Sequence, residues 1–171
     1  MRALVVADTH LTPGTLDRMP SEVWAMAAAA DVVLHAGDVL DQAVLDALAT
    51  HAPVHAVQGN NDEGRLALPE AVTLDLADTA VAMVHDSGPT AGRHRRMARL
   101  FPDADVVVFG HSHAPLVERA GAGPLLVNPG SPTHRRRQPV HTVAWLDLVP
   151  GEPATAEIVE VGPLAGEARP Q

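Results

Sequence analysis

Short apolar runs, each closed by Gly, Asp, Asn or His, recur along the first two thirds of the chain: ALVVAD (3–8), DVVLHAGD (31–38), PVHAVQGN (53–60), VAMVHD (81–86) and DVVVFGH (105–111). The runs are continuous in hydrophobicity where a half-buried strand would alternate, which predicts strands covered on both faces. Between the early runs lie PSEVWAMAAAA (20–30) and DQAVLDALATH (41–51). Each opens on a residue suited to a helix start, Pro20 and Asp41, and each is long enough for two to three turns. Strand and helix therefore alternate, and the first half reads as an α/β unit with right-handed crossovers. Beyond Pro69 the pattern changes to strand-like AVTLDL (71–76) and VAMVH (81–85), a helix over 91–101, and strands near 104–109, 125–128 and 141–149. A second sheet packed on the first accounts for that change. The closing stretch GPLAGEARPQ (162–171) has no period and is expected to be frayed.

A length of 171 residues suits one domain with a sizeable core, here assigned to residues 1–161. The formal net charge is -9, from 21 acidic and 12 basic residues, and every basic residue is Arg. That balance argues against dedicated nucleic-acid binding, whose footprint is basic. With no Cys, thiolate sites and disulfides are excluded, so a bound metal must rest on His, Asp, Asn or Glu. The apolar start before Asp8 is too short for a signal segment, and no run reaches the roughly 18 apolar residues of a membrane span. The expectation is a cytoplasmic protein without a membrane partner, with homo-oligomerisation left open.

The predicted strands end in polar residues of a narrow kind: Asp8 with His10, Asp38, Asn60, His85, and His111 with His113. In open α/β sheets, ligands gather beyond the carboxyl ends of the strands. Carboxylate, imidazole and carboxamide together suit Mn²⁺, Fe²⁺, Zn²⁺ or Ni²⁺. Taken singly, Asp8 and Asp38 also read as caps of the following loop or helix, and His85 as a structural histidine. The ordered set of seven at five strand ends is what points to a metal site.

In that order, Asp8-Thr9-His10, Gly37-Asp38, Gly59-Asn60-Asn61-Asp62, His85 and Gly110-His111-Ser112-His113 resemble the calcineurin-like metallophosphoesterases. Small size and NPGS at 128–131 resemble the compact prokaryotic phosphodiesterase branch, and the likeness spans residues 1 to about 149. The resemblance implies a four-layer αββα sandwich, two mixed sheets face to face with helices outside. It also implies a two-metal site, with Asp8, His10, Asp38 and His113 on one ion, Asp38, Asn60, His85 and His111 on the other, and Asp38 bridging. His111 and His113, two apart in an extended segment, would point the same way and serve different ions about 3.5–4 Å apart. The implied activity is hydrolysis of small phosphodiesters by attack of a metal-bridging hydroxide, with Mn²⁺ foremost and Ni²⁺, Fe²⁺ or Zn²⁺ as alternatives. Asp38, Asn61 and Asp62 are the implied catalytic residues, and Asn61 and Arg135 the implied substrate contacts. Asn61 stands where many members carry a His thought to protonate the leaving group, and a carboxamide cannot supply that proton at neutral pH. Asp86 follows His85 where the family usually has Gly.

Arg93, Arg95, Arg96 and Arg99 read as a solvated helix face, and HRRR (134–137) as a surface loop or subunit contact that also has the chemistry to meet phosphate. His35 reads either as a partner orienting Asp38 or as a structural strand residue. Asn128 and Gly130 fit a tight turn under the site. The rival reading is a non-catalytic scaffold, since a relative in the membrane-sorting retromer complex shares the implied fold and has lost key site residues; the complete ligand set favours an enzyme. A phosphomonoesterase or nuclease would use the same chemistry, and the acidic balance argues against the nuclease.

Overall fold

The computed structural model describes residues 1–162 and contains ten strands, three α-helices and a 3-10 segment at Pro13–Arg18. The expected frayed stretch, from 163 onward, lies outside the described residues. The strands are β1 (Arg2–Val6), β2 (Val32–His35), β3 (Val54–Ala56), β4 (Ala71–Leu76), β5 (Thr79–Val84), β6 (Val106–Val108), β7 (Leu116–Arg119), β8 (Leu125–Asn128), β9 (His141–Asp147) and β10 (Thr155–Val161). The helices are α1 (Ser21–Ala29), α2 (Gln42–Ala49) and α3 (Arg93–Leu100). The Asp41 carboxylate caps α2 by accepting from the Ala43 N–H at 3.0 Å.

Two five-stranded mixed sheets result, ordered β10-β9-β1-β2-β3 and β4-β5-β6-β8-β7. In the first, β1, β2 and β3 run parallel and β9 and β10 are antiparallel additions. In the second, β5, β6 and β8 run parallel, with antiparallel β4 and β7 at the edges. The alternation hidden in the apolar runs is visible in the packing. Ala3 and Val5 of β1 join Leu34, Val81, Met83, Val106, Val108 and Val127 in the core between the sheets. Leu4 and Val6 point the other way, onto Val23 and Ala27 of α1 and Val44 and Leu48 of α2. On the far side Ala82, Val107 and Leu126 pack against Met97 of α3. Both faces of the central strands are thus apolar, and the layers are helix, sheet, sheet, helix, the sandwich expected from the motif.

Some expectations required correction. The strand near 141–149 is β9, and it belongs to the first sheet, where it pairs antiparallel with β1 from Arg2–Asp147 to Val5–Ala144. β7 and β10 were not expected: three of the four residues of β7 are exposed, and β10 alternates half-buried with exposed positions, so neither carries a continuous apolar run. Nor is α3 solvated all round. Arg96 donates to the carbonyls of Ser87 and Pro89, and the Arg93 guanidinium lies 5.0 Å from the centroid of the Phe109 ring. Arg95 and Arg99 are exposed, as expected. No helix among the described residues is long and apolar enough to cross a membrane.

Leu34 lies at the centre of the inter-sheet core with no exposed surface. Leu34→Ala should therefore lower unfolding stability by about 2–5 kcal/mol, read by urea denaturation, with an unchanged dependence on denaturant concentration.

Candidate metal centre

Five parallel strands deliver their carboxyl ends to one edge of the sandwich: β1 leads to Asp8 and His10, β2 to Asp38, β3 to Asn60, β5 to His85, and β6 to His111 and His113. Backbone bonds tie these loops together. The Asp8 N–H donates to the Gly37 carbonyl (2.9 Å), His10 N–H to Asp38 (3.0 Å) and Gly110 N–H to His85 (2.9 Å). The last bond joins loops of the second sheet, and Gly110 brings them onto the first: a Cβ there would lie 2.8 Å from Asp8 Oδ2 and 2.9 Å from the Ala7 Cβ. Gly59 is constrained in the same way, since a Cβ would collide with the Asp38 backbone nitrogen and Oδ1.

Asp8, His10, Asp38, His111 and His113 all have positive φ, between 47° and 66°. Non-glycine residues in this region cost about 1–3 kcal/mol each and concentrate at functional sites. His111 and His113 accordingly do not lie in an extended segment as expected: the Ser112 N–H donates to the Gly110 carbonyl at 2.8 Å, so the chain turns there. The turn sends His113 toward Asp8 (Nε2–Oδ1 3.2 Å) and His111 toward Asn60 (Nδ1–Oδ1 3.0 Å).

The donor set is organised around two fully buried carboxylates. His10 Nε2 lies 4.0 Å from Asp8 Oδ1, 3.6 Å from Asp38 Oδ2 and 3.4 Å from His113 Nε2. His85 Nε2 lies 3.5 Å from Asp38 Oδ2 and 3.2 Å from Asn60 Oδ1. One ligand atom from each of Asp8, His10 and His113 lies within 4.8 Å of the others, and the same holds for Asp8, Asp38 and His85. Asp8 is thus common to both groups, while Asp38 Oδ2 stands almost equidistant from an imidazole of each.

The chemistry of these donors fits divalent cations. His85 Nδ1 meets the Ala36 carbonyl at 2.7 Å, and His113 Nδ1 meets the His134 carbonyl. A carbonyl only accepts, so each Nδ1 carries the proton and each neutral ring turns the lone pair of Nε2 toward a carboxylate. Two acceptors facing each other at 3.2–3.5 Å require a positive charge between them. Asp8 sharpens the point: neither carboxylate oxygen has a hydrogen-bond donor among the described residues, yet the residue has no exposed surface. An unpaired buried carboxylate is disfavoured by several kcal/mol, and a bound cation removes that penalty.

Asp38 is compensated from within the chain. Burial would raise its pKa, but hydrogen bonding with His85 and from the Asn61 backbone and side-chain amides holds it well below the usual carboxylate range. For His85, burial opposes the charged ring, but the hydrogen bond with Asp38 and the Ala36 carbonyl hold its pKa above the ordinary value. Burial lowers His10, against the pull of Asp38 and Asp8.

The remaining residues singled out from the sequence are distributed unequally. Asn61 donates to Asp38 twice, from its backbone (2.9 Å) and from Nδ2 (2.7 Å). Asp62 is fully buried and accepts from Leu40 N–H (2.8 Å) and Gly59 N–H (2.9 Å). It clamps the Asp38 and Asn60 loops, a positioning role in place of the direct catalytic contact expected. Arg135 donates to the Gln138 carbonyl (2.9 Å), closing its own turn. His35 bonds Thr9 Oγ1 (3.0 Å) where an Asp38 partner was one expectation. Asn128 braces the histidine turn, donating to the Gly110 carbonyl (2.8 Å) and Ser112 Oγ (3.1 Å). The residue missed in the sequence is His134, whose ring centroid lies 5.1 Å from that of His10 and 6.4 Å from that of His113. It reads as the first letter of a basic run; its place three residues after Ser131 was the available signal.

Comparison with known proteins follows this geometry. Residues 1–151 match the calcineurin-like phosphoesterase superfamily domain, and the chain belongs to that family. A probable metallophosphoesterase of Methanothermobacter thermautotrophicus is 33% identical over 162 residues, 92% of this chain and 91% of the relative. Another, of Methanocaldococcus jannaschii, is 35% identical over 132 residues, covering 75% of this chain and 67% of the relative. In fold, the chain is similar to Vps29 of Entamoeba histolytica complexed with Zn²⁺ (TM-score 0.73, 24% identity, 94% of this chain and 99% of that one). It is similar as well to a structure described as a novel archaeal phosphodiesterase (TM-score 0.70, 19% identity, 93% and 100%).

One further consequence concerns acid stability. His35 is fully buried, and burial lowers its pKa to about 4 from the ordinary 6.5. Above pH 6.5 both folded and unfolded chains hold the ring neutral. Below it the unfolded chain takes a proton that the native one refuses until about pH 4. Chelated wild type should lose up to about 3 kcal/mol more stability than His35→Gln between those limits, measured by denaturant titration across pH.

Proposed function

We propose that the chain is a dinuclear metal-dependent phosphodiesterase acting on small diesters, with Mn²⁺ the first ion to test. The observation that carries the reading is the pair of buried carboxylates, Asp8 without a donor and Asp38 between His10 and His85, each faced by imidazole nitrogens. In this reading Asp8, His10, Asp38 and His113 hold one ion, and Asp38, Asn60, His85 and His111 the other. When bound, such a pair lowers the pKa of coordinated water and offsets charge building on phosphoryl oxygens. The chain itself does the arranging. Asp62 holds the two loops in register, Asn61 orients Asp38, and the carbonyls of Ala36 and His134 fix which nitrogen of His85 and His113 is free.

A diester is favoured over a monoester by the adjoining cavity of about 350 Å³, which is lined by Glu63, Glu70 and Asp86 beside Asn60, His85 and His111. A dianionic monoester meets about twice the repulsion from that acidic wall that a monoanionic diester meets. The archaeal phosphodiesterase that shares the fold supports the same choice. The Vps29 structures support a scaffold as the second reading, at the level of fold alone.

Under saturating Mn²⁺, elemental analysis should find two ions per chain, and hydrolysis of bis(4-nitrophenyl) phosphate should vanish with chelator and return with Mn²⁺. Asp38→Ala should lose both ions and His10→Ala mainly one; retention of both by Asp38→Ala would remove the bridging assignment. Asp62→Asn should keep the fold but weaken metal affinity or activity by about 10- to 100-fold, the usual effect of disturbing a residue that orients ligands.

A further inference from the structure

We infer that His134 is a substrate-contacting residue that donates a hydrogen bond to the leaving-group oxygen of the diester; the inference rests on the phosphodiesterase reading above. In a metallophosphoesterase whose position 61 is Asn, some other group must meet the charge that builds on that oxygen. The structure narrows the choice. Asn61 Nδ2 is spent on Asp38 at 2.7 Å, Asp62 is buried against backbone, and His35 is buried against Thr9. Arg135 turns back to the Gln138 carbonyl. His134 differs from all of these. Its residue is exposed, and its ring stands against two of the imidazoles assigned to one ion, tilted 57° to His10 and 72° to His113.

Its placement is also rigid. Ser131 Oγ donates to the Asp8 carbonyl (2.8 Å) and accepts from His134 N–H (2.8 Å), and Thr133 Oγ1 donates to the Thr9 carbonyl (2.5 Å). The His134 carbonyl accepts from His113 Nδ1. The segment 131–134 is therefore fastened to the loop that carries Asp8 and His10, and the ring projects from that fastening toward the rim of the site. A ring N–H there needs no change of protonation to act. As water adds its oxygen to phosphorus and the bond from phosphorus to the ester oxygen breaks, the departing alkoxide or phenoxide accepts that N–H. His134 keeps its proton, and solvent water supplies the one that completes the alcohol.

A donor aimed at developing charge matters in proportion to how much charge the leaving group must carry. The test uses methyl 4-nitrophenyl, methyl 3-nitrophenyl and methyl phenyl phosphates with Mn²⁺-loaded wild type, His134→Ala and His134→Gln. Both variants keep the backbone carbonyl that orients His113. His134→Ala should lower kcat about tenfold to hundredfold for the phenyl ester, the range of one hydrogen bond to a charged group, and only severalfold for the 4-nitrophenyl ester. His134→Gln, which retains an N–H, should recover much of the loss. Metal content by elemental analysis, and affinity for inorganic phosphate by calorimetry, should match wild type. A uniform loss across the three esters, weakened phosphate binding, loss of an ion, or no rescue by Gln would each overturn the assignment. If wild type hydrolyses the esters with a normal metal requirement and His134→Ala is unaffected, the inference alone fails; if wild type hydrolyses none of them, the phosphodiesterase reading fails and takes the inference with it.

Discussion

Two carboxylates withdrawn from water, Asp8 and Asp38, set the terms for the rest of the molecule. Neither has any exposed surface, and burial of a charged carboxylate is tolerated only with compensation. Asp38 receives its compensation from the Asn61 amides and from His85. Asp8 receives none from hydrogen bonding, and is faced instead by the nitrogens of His113 and His10. The imidazoles cannot all supply protons, because those of His85 and His113 already direct one nitrogen to a carbonyl. A polypeptide that builds such an edge is one whose folded state is completed by cations, so that metal affinity and local stability are coupled.

The sandwich makes that edge possible. Parallel β1, β2 and β3 bring three loops to one end of the first sheet, and parallel β5 and β6 bring two to the same end of the second. Close approach of the sheets then depends on missing side chains at Gly59 and Gly110, where a Cβ would strike Asp38 or Asp8. The left-handed backbone at five candidate ligands is the local penalty, and the unbroken apolar contact of Leu34, Met83, Val106 and Val127 below the site offsets it. Antiparallel β9 and β10 carry no candidate ligand. They extend the first sheet beyond β1, where Leu146 and Ala144 close the inter-sheet core and Trp145 and Val143 cover the helix side.

How far these features could be read beforehand follows from where the information lies. Strands covered on both faces produce continuous apolar runs, so β1, β2, β5 and β6 were legible together with the polar residues that close them. Edge strands produce no such run: β10 presents Glu157 and Glu160 along one side, and β7 is mostly exposed, so both escaped. Sheet membership is a long-range property, and nothing within 141–149 distinguishes pairing with β1 from pairing in the second sheet. The candidate ligands were legible as an ordered set, but their conformation was not, since the turn at Ser112 depends on the Asn128 brace eighteen residues away from Gly110. His134 was hidden for a similar reason. Its neighbours Arg135, Arg136 and Arg137 suggest a charged surface loop, and only the bonds from Ser131 and Thr133 to the Asp8 loop bring it to the site.

The charge distribution around the site bears on how an acidic chain handles an anionic ester. At the end marked by His85 and His111, Glu63, Glu70 and Asp86 line the cavity. At the end marked by His10 and His113 stand His134 and then a run of three arginines. Charges within a Debye length of about 8 Å still act across solvent, so the two rims present unlike potentials to a bound molecule. A symmetric phosphate would have no preferred direction between them beyond that set by the ions. An unsymmetrical diester does: its more electron-rich oxygen is favoured at the imidazole rim, and a neutral or cationic substituent is favoured against the carboxylates. Net charge of the whole chain then matters little for affinity, because the sign experienced by the ester is decided by the ligand cluster and these two rims, within a few ångströms of the phosphorus.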